Sequence, residues 1–333
     1  MDQPTPPRYL SAADVTAAMP DLPERLTLAE ATLRGLAGPA DLPAKIGVHP
    51  RPDGSFGHAM PAFLPGDATD GSADRLGMKW VLGFPANGGL GLPAISALLL
   101  LNDPLTGLAT AILDAGPITA QRTAAVSGVA IRTWAAPADP GHPRAALIGA
   151  GVQGHSHLPV IAHLLPGVSV AVFDRDQSRT EALVQEGRSL PGIGATRVAG
   201  SARAAVEGAD VVVTAASFAP PAERQAMTND WLVPHALVVP VDYATMCAAE
   251  VARDAALFVT DHTAQFLANR DAGQFDGYPD PHAMMGEVLA SGAPRPAGRV
   301  VATHLGTGLA DVVFGAAILA EAVRRGLGTV LPR

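Results

Sequence analysis

The spacing of hydrophobic residues changes along the chain, and each change predicts a different kind of element. Residues 1–40 are predicted to be helical, because Ser11 can cap a first helix and Leu22–Leu36 repeats apolar residues at helical spacing. From about residue 42 to residue 101, short runs of alternating apolar and polar residues predict strands separated by turns. Antiparallel strands of this kind indicate a separate α+β domain.

Residues rich in Pro, Gly and Asp separate the strands expected in this part. Segment 63–74 is predicted to be an exposed loop, and 103–107 a hairpin turn between two strands. Residues 118–134 are predicted to form one helix, which the Pro- and Gly-containing linker 137–143 follows. The predicted strands are 45–49, 58–64, 77–82, 95–102 and 107–114.

Beyond the linker, nearly continuous β-branched and apolar runs alternate with helices. Such runs are typical of parallel strands that are covered on both faces. Ligands bind at the carboxyl ends of these strands, where Ser217, Asp242 and Asp261 stand. Gly306 begins a turn into a closing helix that ends near Arg325. The predicted strands are 144–148, 169–173, 196–199, 210–217, 236–242, 256–261 and 299–304.

The first of these strands leads into a glycine-rich turn. Gly149, Gly151 and Gly154 have the spacing GxGxxG, and Asp174 ends the next apolar run 20 residues after Gly154. In a dinucleotide fingerprint the first glycine permits the tight turn, the second lets the backbone approach a pyrophosphate, and the third lets helix and strand pack closely. The free N–H groups of the following helix attract phosphate. We therefore predict a Rossmann domain that binds a dinucleotide.

Composition narrows the class of protein. A formal net charge of −8 disfavours a nucleic-acid partner, and no apolar run is long enough to span a membrane. Cys247 is the only cysteine, and the ten histidines show no metal-binding spacing, so we expect neither an intrachain disulfide nor a metal. Residues 1–7 lack the basic and apolar parts of a signal segment, so a cytoplasmic protein is expected.

A nicotinamide enzyme needs a group that holds its substrate and an acid or base for the proton that accompanies hydride transfer. Lys45, Lys79 and Arg122 stand among apolar neighbours and are candidates to hold a substrate carboxylate. Surface charges with buried stems would show the same pattern. Asp242 ends an apolar strand and is the candidate acid or base, with a helix N-cap as the alternative role.

Three further polar residues lie near the predicted ligand edge. His155 and His157 follow the glycine turn and are expected to face solvent or phosphate. Asp261 precedes a histidine, but strand-end aspartates commonly act as caps, so we expect no catalytic dyad there.

Motifs spread through nearly the whole chain resemble the ornithine cyclodeaminase/μ-crystallin family. The resemblance implies an α/β fold with a Rossmann domain, 121–307, inserted into a smaller α+β substrate and dimerisation domain, 1–120 completed by 308–333. It also implies a homodimer. The motifs are Gly-Met-Lys-Trp-Val-Leu-Gly-Phe-Pro-Ala-Asn at 77–87, Thr-Gly at 106–107, Leu-Asp at 113–114, Ile-Thr-Ala-Gln-Arg-Thr-Ala-Ala at 118–125, Gly-Ala-Gly-Val-Gln at 149–153, Val-Pro-Val-Asp at 239–242 and Gly-Thr-Gly-Leu-Ala-Asp at 306–311.

The same resemblance implies roles for individual residues. Asp242 and Lys79 would be catalytic, with Asp242 the general acid/base beside the substrate nitrogen. The residues expected to bind the substrate are Lys45, Lys79, Arg122 and Gly308. The residues expected to bind the cofactor are Arg122, Gly149, Gly151, Val152, Gln153, Gly154, Asp174, Thr214, Val241 and Thr307.

The implied activity is that of an NAD(P)-dependent oxidoreductase that acts on a small α-amino acid or its imine by hydride transfer at Cα. The alternatives are a cyclodeaminase that releases ammonia from ornithine or a lysine-like substrate, and a non-catalytic NAD(P)-binding protein of the μ-crystallin type. Ornithine cyclodeaminases carry a glutamate where this chain has His58, which disfavours ornithine. They carry an arginine where this chain has Lys45, and a lysine cannot form the same bidentate fork.

The choice between the two cofactors depends on Asp174. Its carboxylate would accept a hydrogen bond from the ribose 2′-hydroxyl of NAD and repel the 2′-phosphate of NADP. Arg175 and Arg179 could receive that phosphate instead. We therefore expect NAD, with NADP as a possible cofactor.

Overall fold

A computed structural model describes residues 6–51, 53–69, 71 and 73–332. The expectation about a signal segment rests partly on residues 1–5, which lie outside the described residues, as do two positions of the predicted loop 63–74. The described chain forms α-helices and two β-sheets, one of them wholly parallel. The predicted α/β fold class is confirmed.

The chain divides into two compact units. The first consists of the described parts of Met1–Arg122 and Gly306–Arg333, and the second of Thr123–Leu305. The second unit is therefore inserted into the sequence of the first. The substrate-binding and dimerisation roles predicted for the first unit remain predictions.

The described residues of the first unit form a seven-stranded sheet with the order β15-β1-β6-β5-β4-β3-β2, and within it only β1 and β6 pair in parallel. The predicted hairpin turn at 103–107 is confirmed. The strands are β1 (Arg8–Leu10), β2 (Ile46–Val48), β3 (Phe56–Leu64), β4 (Arg75–Gly83), β5 (Ile95–Asn102), β6 (Ala109–Asp114) and β15 (Thr329–Val330). The helices are α1 (Ala12–Ala17), α2 (Leu22–Leu36), α10 (Gly308–Arg324) and the start of α3 (Gly116–Trp134).

The predicted helical start of the chain is wrong at one place, because Arg8–Leu10 forms a strand. This strand pairs in parallel with β6 and antiparallel with β15. Leu10 is completely buried. Both partners are distant in sequence, so local propensity could not reveal a strand of three residues. Ser11 caps α1 as predicted, and it forms a capping box with Asp14.

One face of the sheet is packed against α10. Gly77 of β4 lies close to Val312, and Gly315 lies close to Leu99 of β5; at both glycines a β-carbon would meet the facing side chain. On the opposite face, Leu98 remains 47% exposed. The close approach of α10 brings its first turns to the face of β4 that carries Lys79.

The second unit has an eight-stranded parallel sheet with the order β13-β12-β14-β11-β10-β7-β8-β9. Its strands are β7 (Arg144–Ile148), β8 (Val168–Phe173), β9 (Ile193–Val198), β10 (Val211–Thr214), β11 (Leu237–Pro240), β12 (Leu257–Thr260), β13 (Ala283–Met284) and β14 (Val300–Thr303). Its helices, after the remainder of α3, are α4 (Val152–Leu164), α5 (Gln177–Gly187), α6 (Ala202–Val206), α7 (Ala249–Arg253), α8 (Thr263–Asp271) and α9 (Met285–Ser291). The strand order reverses beside β7, the topological switch point of a Rossmann fold, where ligands bind.

The glycine turn between β7 and α4 has the predicted construction. Gly149 has φ +106°, and a β-carbon there would collide with the carbonyl oxygen of Ala215. A β-carbon at Gly154 would collide with the carbonyl oxygen of Gly149, whereas a β-carbon at Gly151 would meet no atom within 4 Å. Packing therefore requires glycine at positions 149 and 154, whereas Gly151 faces open space.

None of the helices in the described part of the chain has the length and apolar character needed to cross a membrane.

We expect Gly154→Ala to lower the free energy of unfolding by about 1–3 kcal/mol, because the added β-carbon strikes backbone that can move only with the whole turn. Gly151→Ala is the matched control, since its φ is −87° and its surroundings are open. There the loss should stay below about 1 kcal/mol. Urea unfolding of both variants tests this, and equal losses would contradict the packing role of Gly154.

Candidate functional site

The first unit contains a buried cluster of three charged groups. Lys79 Nζ lies 2.6 Å from Asp311 Oδ2, and Arg122 Nε lies 3.3 Å from Asp311 Oδ1. Lys79 Nζ also donates to Thr119 Oγ1 at 3.4 Å. All three charged side chains are almost completely buried. The sequence suggested Lys79 and Arg122 as candidates for the same role, and the structure brings them together on one carboxylate.

Burial decides the protonation of Lys79. Removal from water lowers the pKa of Lys79 to about 7, although the charge of Asp311 opposes the shift. The nearby positive charge of Arg122 lowers the pKa of the Lys79 amine further. Lys79 is therefore a group whose charge changes near neutral pH.

Asp311 is a functional candidate that the sequence did not single out. It belongs to the final motif, 306–311, but no role was predicted for it. It stands in the first turn of α10, where the helix N-terminus stabilises a carboxylate, and it is fully buried. The available signal was a lone acidic residue in the otherwise apolar first part of a closing helix.

The connection that leads into α10 is shaped by two glycines. Gly306 has φ +71°, and a β-carbon there would collide with the guanidinium of Arg122. Gly308 lies against the backbone of Met60, so a β-carbon there would collide as well. Thr307, between them, is buried at the N-cap position of α10. The predicted substrate-binding role of Gly308 and cofactor-binding role of Thr307 remain predictions.

Lys45 and His58 form a second polar group in this unit. Met60 is the cross-strand partner of Lys79, and His58 is that of Val81, so His58 lies further along the same face of the β3–β4 pair. Burial, then the charges of Lys45 and His49, lower the pKa of His58 to about 4. His58 is therefore a neutral imidazole at pH 7.

In the second unit Asp242 lies just beyond the end of β11. Its Oδ1 accepts a hydrogen bond from Thr214 Oγ1 at 2.8 Å, and its Oδ2 accepts from the backbone N–H of Ala216 at 3.0 Å. Burial raises the pKa of Asp242 to about 7, although both hydrogen bonds favour the carboxylate. The side chain is therefore able to gain and lose a proton near neutral pH.

The alternative role of Asp242 as a helix N-cap is wrong, because no α-helix begins after it before Ala249. Tyr243 instead adopts φ +58°, a left-handed conformation that is uncommon for an aromatic residue. Its hydroxyl donates to the carbonyl oxygen of Leu305 at 3.4 Å. Tyr243 thus fixes a sharp bend directly after the carboxylate.

Asp242 and the glycine turn belong to one site. The carbonyl of Ala215 packs on Gly149, and the next residue, Ala216, donates to Asp242. Val241, a predicted cofactor residue, donates its N–H to the carbonyl of Thr214 at 2.7 Å. The ends of β7, β10 and β11 therefore meet at the switch point of the sheet.

The first turn of α4 fits a bound dinucleotide. Gly151 is the N-cap residue, no side chain caps the helix, and a β-carbon at Gly151 would fill open space. Val152 is 70% exposed. The Oε1 atom of Gln153 is buried without a hydrogen-bond partner in the described chain. Open N–H groups at a helix N-terminus are what a pyrophosphate-binding turn would present, and the Gln153 oxygen remains an acceptor for a hydroxyl or N–H donor.

Asp174 lies beside this turn. Its Oδ2 accepts from the backbone N–H of Ala150 at 2.8 Å, and its Oδ1 accepts from the N–H of Asp176 at 2.9 Å. The carboxylate is half-buried. It therefore holds the glycine turn in place in addition to any contact with a ribose.

The expectation that both histidines after the turn face solvent or phosphate is wrong for His157, which is completely buried. Only His155 is exposed, and it pairs with Glu186 at 2.5 Å. Asp261 caps no helix: its carboxylate accepts from the backbone N–H of Leu305, and the neighbouring His262 caps α8. The described residues contain no group of three or more His, Cys, Asp or Glu suited to a metal ion.

We expect Asp242→Asn to stabilise the protein at neutral pH but not at acidic pH. In the wild type the folded-state pKa is raised from 3.8 to about 7. The stability contribution of Asp242 is therefore complete below pH 4 and is lost as pH rises to about 7. Asparagine has no charge to desolvate; its oxygen can accept from the Ala216 N–H, and its NH2 group can donate to Thr214 Oγ1, which reverses that bond.

The gain in free energy of unfolding should be near zero at about pH 4 and reach roughly 2–4 kcal/mol at pH 8. Urea titrations of both proteins without added ligand measure it. A gain that does not vary with pH would show that Asp242 is not a destabilised carboxylate.

Comparison with known proteins identifies the family of this chain. A model of the ornithine cyclodeaminase/mu-crystallin family matches residues 10–318. The nodulation efficiency protein NfeD of Rhizobium meliloti is 34% identical over 334 residues, 98% of each chain. The ketimine reductase mu-crystallin of Mus musculus is 27% identical over 92% of this chain and 95% of its own. The structure of Thermococcus litoralis Δ1-pyrroline-2-carboxylate reductase in complex with NADH and L-proline has a TM-score of 0.82 at 24% identity, covering 97% of this chain and 100% of that one. The family resemblance is confirmed: this chain belongs to the ornithine cyclodeaminase/mu-crystallin family.

Proposed function

We propose that this protein is an NAD(P)-dependent oxidoreductase that acts on an α-amino acid or its imine by hydride transfer at Cα. The observation that carries the proposal is Asp242, a buried carboxylate with a pKa of about 7, connected to the glycine turn through residues 214–216. The names of two relatives support the class of substrate, since one is a ketimine reductase and the other a reductase bound to NADH and L-proline.

The residues present fit the dinucleotide. Its pyrophosphate would lie on the N–H groups at Gly151 and Val152, and its ribose would meet Asp174. The role of Gln153 in cofactor binding rests on the family motif. When bound, the nicotinamide accepts or supplies the hydride. The roles proposed for Arg122, Thr214, Val241 and Thr307 in cofactor binding rest on the family motifs.

The charge of the buried cluster favours an anionic substrate group. Protonated Lys79 and Arg122 carry two positive charges against the single negative charge of Asp311. A net positive charge in a buried position costs free energy unless an anion neutralises it. A substrate carboxylate would provide that anion and would raise the pKa of Lys79. We propose that Arg122 and Lys79 bind the carboxylate, assisted by Lys45.

Asp242 would move the proton. With a pKa of about 7 it exists in both forms at neutral pH. As a carboxylate it can take a proton from the substrate amine during oxidation, and as an acid it can return that proton to the nitrogen during imine reduction. Hydride transfer and this proton transfer together interconvert an amino acid and its imine.

His58 weighs against the ornithine cyclodeaminase alternative. A second ammonium group on the substrate would need a carboxylate or another acceptor to bind it. The neutral imidazole of His58 stacks on Phe56 and lies near the positive charge of Lys45. This polar group disfavours a cationic substrate side chain, so we propose an amino acid whose side chain carries no amine.

A homodimer is the proposed assembly. The face of the first-unit sheet opposite to α10 carries alternating apolar residues: Trp80 pairs with Leu98, and Met78 with Leu100. Leu98 is 47% exposed, although it lies in the middle of a seven-stranded sheet. Burial of this apolar face against a second copy would remove it from water.

We expect the purified protein to oxidise NADH with cyclic imino acids or with keto acids plus amine, and Asp242→Asn to reduce kcat about 10²–10⁴-fold. NADH affinity should change little, because asparagine can still accept from the Ala216 N–H and can donate to Thr214 Oγ1. Nicotinamide absorbance measures turnover, and nicotinamide fluorescence measures binding.

Asp261→Asn is the control. Asp261 is also a carboxylate just after a strand, and an asparagine there can still accept the hydrogen bond from the Leu305 N–H. It should retain most of the turnover. Near-normal kcat in Asp242→Asn would refute the acid/base role. Tight NADH binding by the wild type without turnover on the whole panel would favour the non-catalytic alternative.

We expect Asp174→Ser to shift the cofactor preference toward NADP. The change removes the negative charge that would repel a 2′-phosphate and leaves Arg175 to attract it. It also removes the acceptor of the Ala150 N–H, so both cofactors should bind more weakly. The informative measurement is therefore the ratio of kcat/KM for NADH to that for NADPH, which should fall about tenfold or more. An unchanged ratio would show that Asp174 only holds the turn.

A further inference from the structure

Three polar side chains of the second unit form a buried chain of hydrogen bonds that the proposed reaction does not use. Ser127 Oγ, from the middle of α3, lies 2.8 Å from His157 Nε2 on α4 and 2.8 Å from His304 Nε2 just after β14. His157 Nδ1 lies 2.7 Å from the carbonyl oxygen of Gln153. Ser127 and His157 have no exposed surface, and His304 is 3% exposed.

The chemistry of the partners fixes the direction of every hydrogen bond. A carbonyl oxygen only accepts, so His157 must donate from Nδ1 to Gln153. Burial lowers the pKa of His157 to about 4, so its Nε2 has no proton at neutral pH and accepts from the Ser127 hydroxyl. The hydroxyl has one proton, so His304 must donate from Nε2 to Ser127. Each donor has one acceptor, and the chain ends on the first turn of α4.

We propose that this Ser127–His157–His304 chain is a brace that holds the first turn of α4 in the position that binds the pyrophosphate of the dinucleotide. Ser127 and His304 are then positioning residues, and the inference rests on the proposed function. The brace is needed because this end of α4 is built from a glycine N-cap without a side-chain cap, next to an exposed Val152. Asp174 holds the turn at Ala150, before the helix begins, and the brace holds it at Gln153, inside the helix.

The two members of the brace that lie outside α4 are themselves fixed. His304 is followed by Leu305, whose N–H donates to Asp261 and whose carbonyl accepts from Tyr243. Ser127 lies within a helix of 19 residues. The brace therefore connects the first turn of α4 to two rigid elements. Removal of the Ser127 hydroxyl should therefore change the position of that turn.

Ser127→Ala removes the central link and leaves two buried imidazole nitrogens without their partner. We expect it to weaken binding of NADH and of ADP-ribose by the same factor, about tenfold. ADP-ribose keeps the pyrophosphate and lacks nicotinamide, so equal losses locate the effect at the turn. KM for NADH should rise while kcat is kept, as for a loss of uniform binding.

Ser156→Ala is the matched control, because Ser156 is also a buried serine, lies in α4 beside His157 and donates to the carbonyl of Val152 within that helix. It lies outside the brace and should bind both ligands within about twofold of the wild type. If Ser127→Ala does not fold, His304→Gln and His304→Leu replace it. Glutamine can still donate to Ser127 and should bind NADH normally, whereas leucine should lose affinity.

Fluorescence titration with NADH, competition by ADP-ribose and urea unfolding of each variant decide the matter. The brace is refuted if Ser127→Ala binds both ligands within about twofold of the wild type, if Ser156→Ala loses as much affinity, or if only NADH binding suffers. It is equally refuted if the two His304 variants behave alike. A wild-type protein that binds neither NADH nor ADP-ribose would overturn the proposed function itself, and the brace with it.

Discussion

The burial of charge is the constraint on which the candidate chemistry of this protein depends. Lys79, Arg122 and Asp311 are buried together in the first unit, and none of them would be stable there alone. The pairing keeps the two cations in place, but it leaves one positive charge uncompensated. In the second unit Asp242 is buried with hydrogen bonds but without a cation within ion-pair distance among the described residues. Both units thus hold groups whose protonation is poised near neutral pH by removal from water.

Backbone geometry shapes the ligand edge of the second unit. Gly149 and Gly154 allow β7 and α4 to approach so closely that side chains could not be accommodated. Ala215 and Ala216 then join the glycine turn to Asp242, which lies at the end of a neighbouring strand. The left-handed Tyr243 continues this tight arrangement. The strain and close packing at the ends of β7, β10 and β11 are consistent with a region shaped for a ligand rather than for stability alone.

Much of this could be predicted because the signals are local in sequence. The glycine spacing, the apolar strand before it and the acidic residue after the next strand define a dinucleotide turn within about 30 residues. The β-branched runs predicted the parallel sheet, and the alternating runs predicted the antiparallel one. Contacts that join distant segments were missed. Arg8–Leu10 becomes a strand because β6 and β15 lie beside it, and His157 is buried where its Nε2 meets Ser127 of α3.

The sequence by itself determined the fold class, the glycine turn, the family and the set of charged residues able to do chemistry, since each is written in residue type and short-range spacing. Tertiary structure decided which of those residues contact one another and which protonation state each one favours. It placed Asp311 between Lys79 and Arg122, gave Asp242 no helix to cap, turned Asp174 toward the backbone of its own turn, and joined Ser127 to two histidines. The physical reason is that pKa values and hydrogen-bond partners depend on burial and on neighbours distant in sequence, and both exist only once the chain has folded.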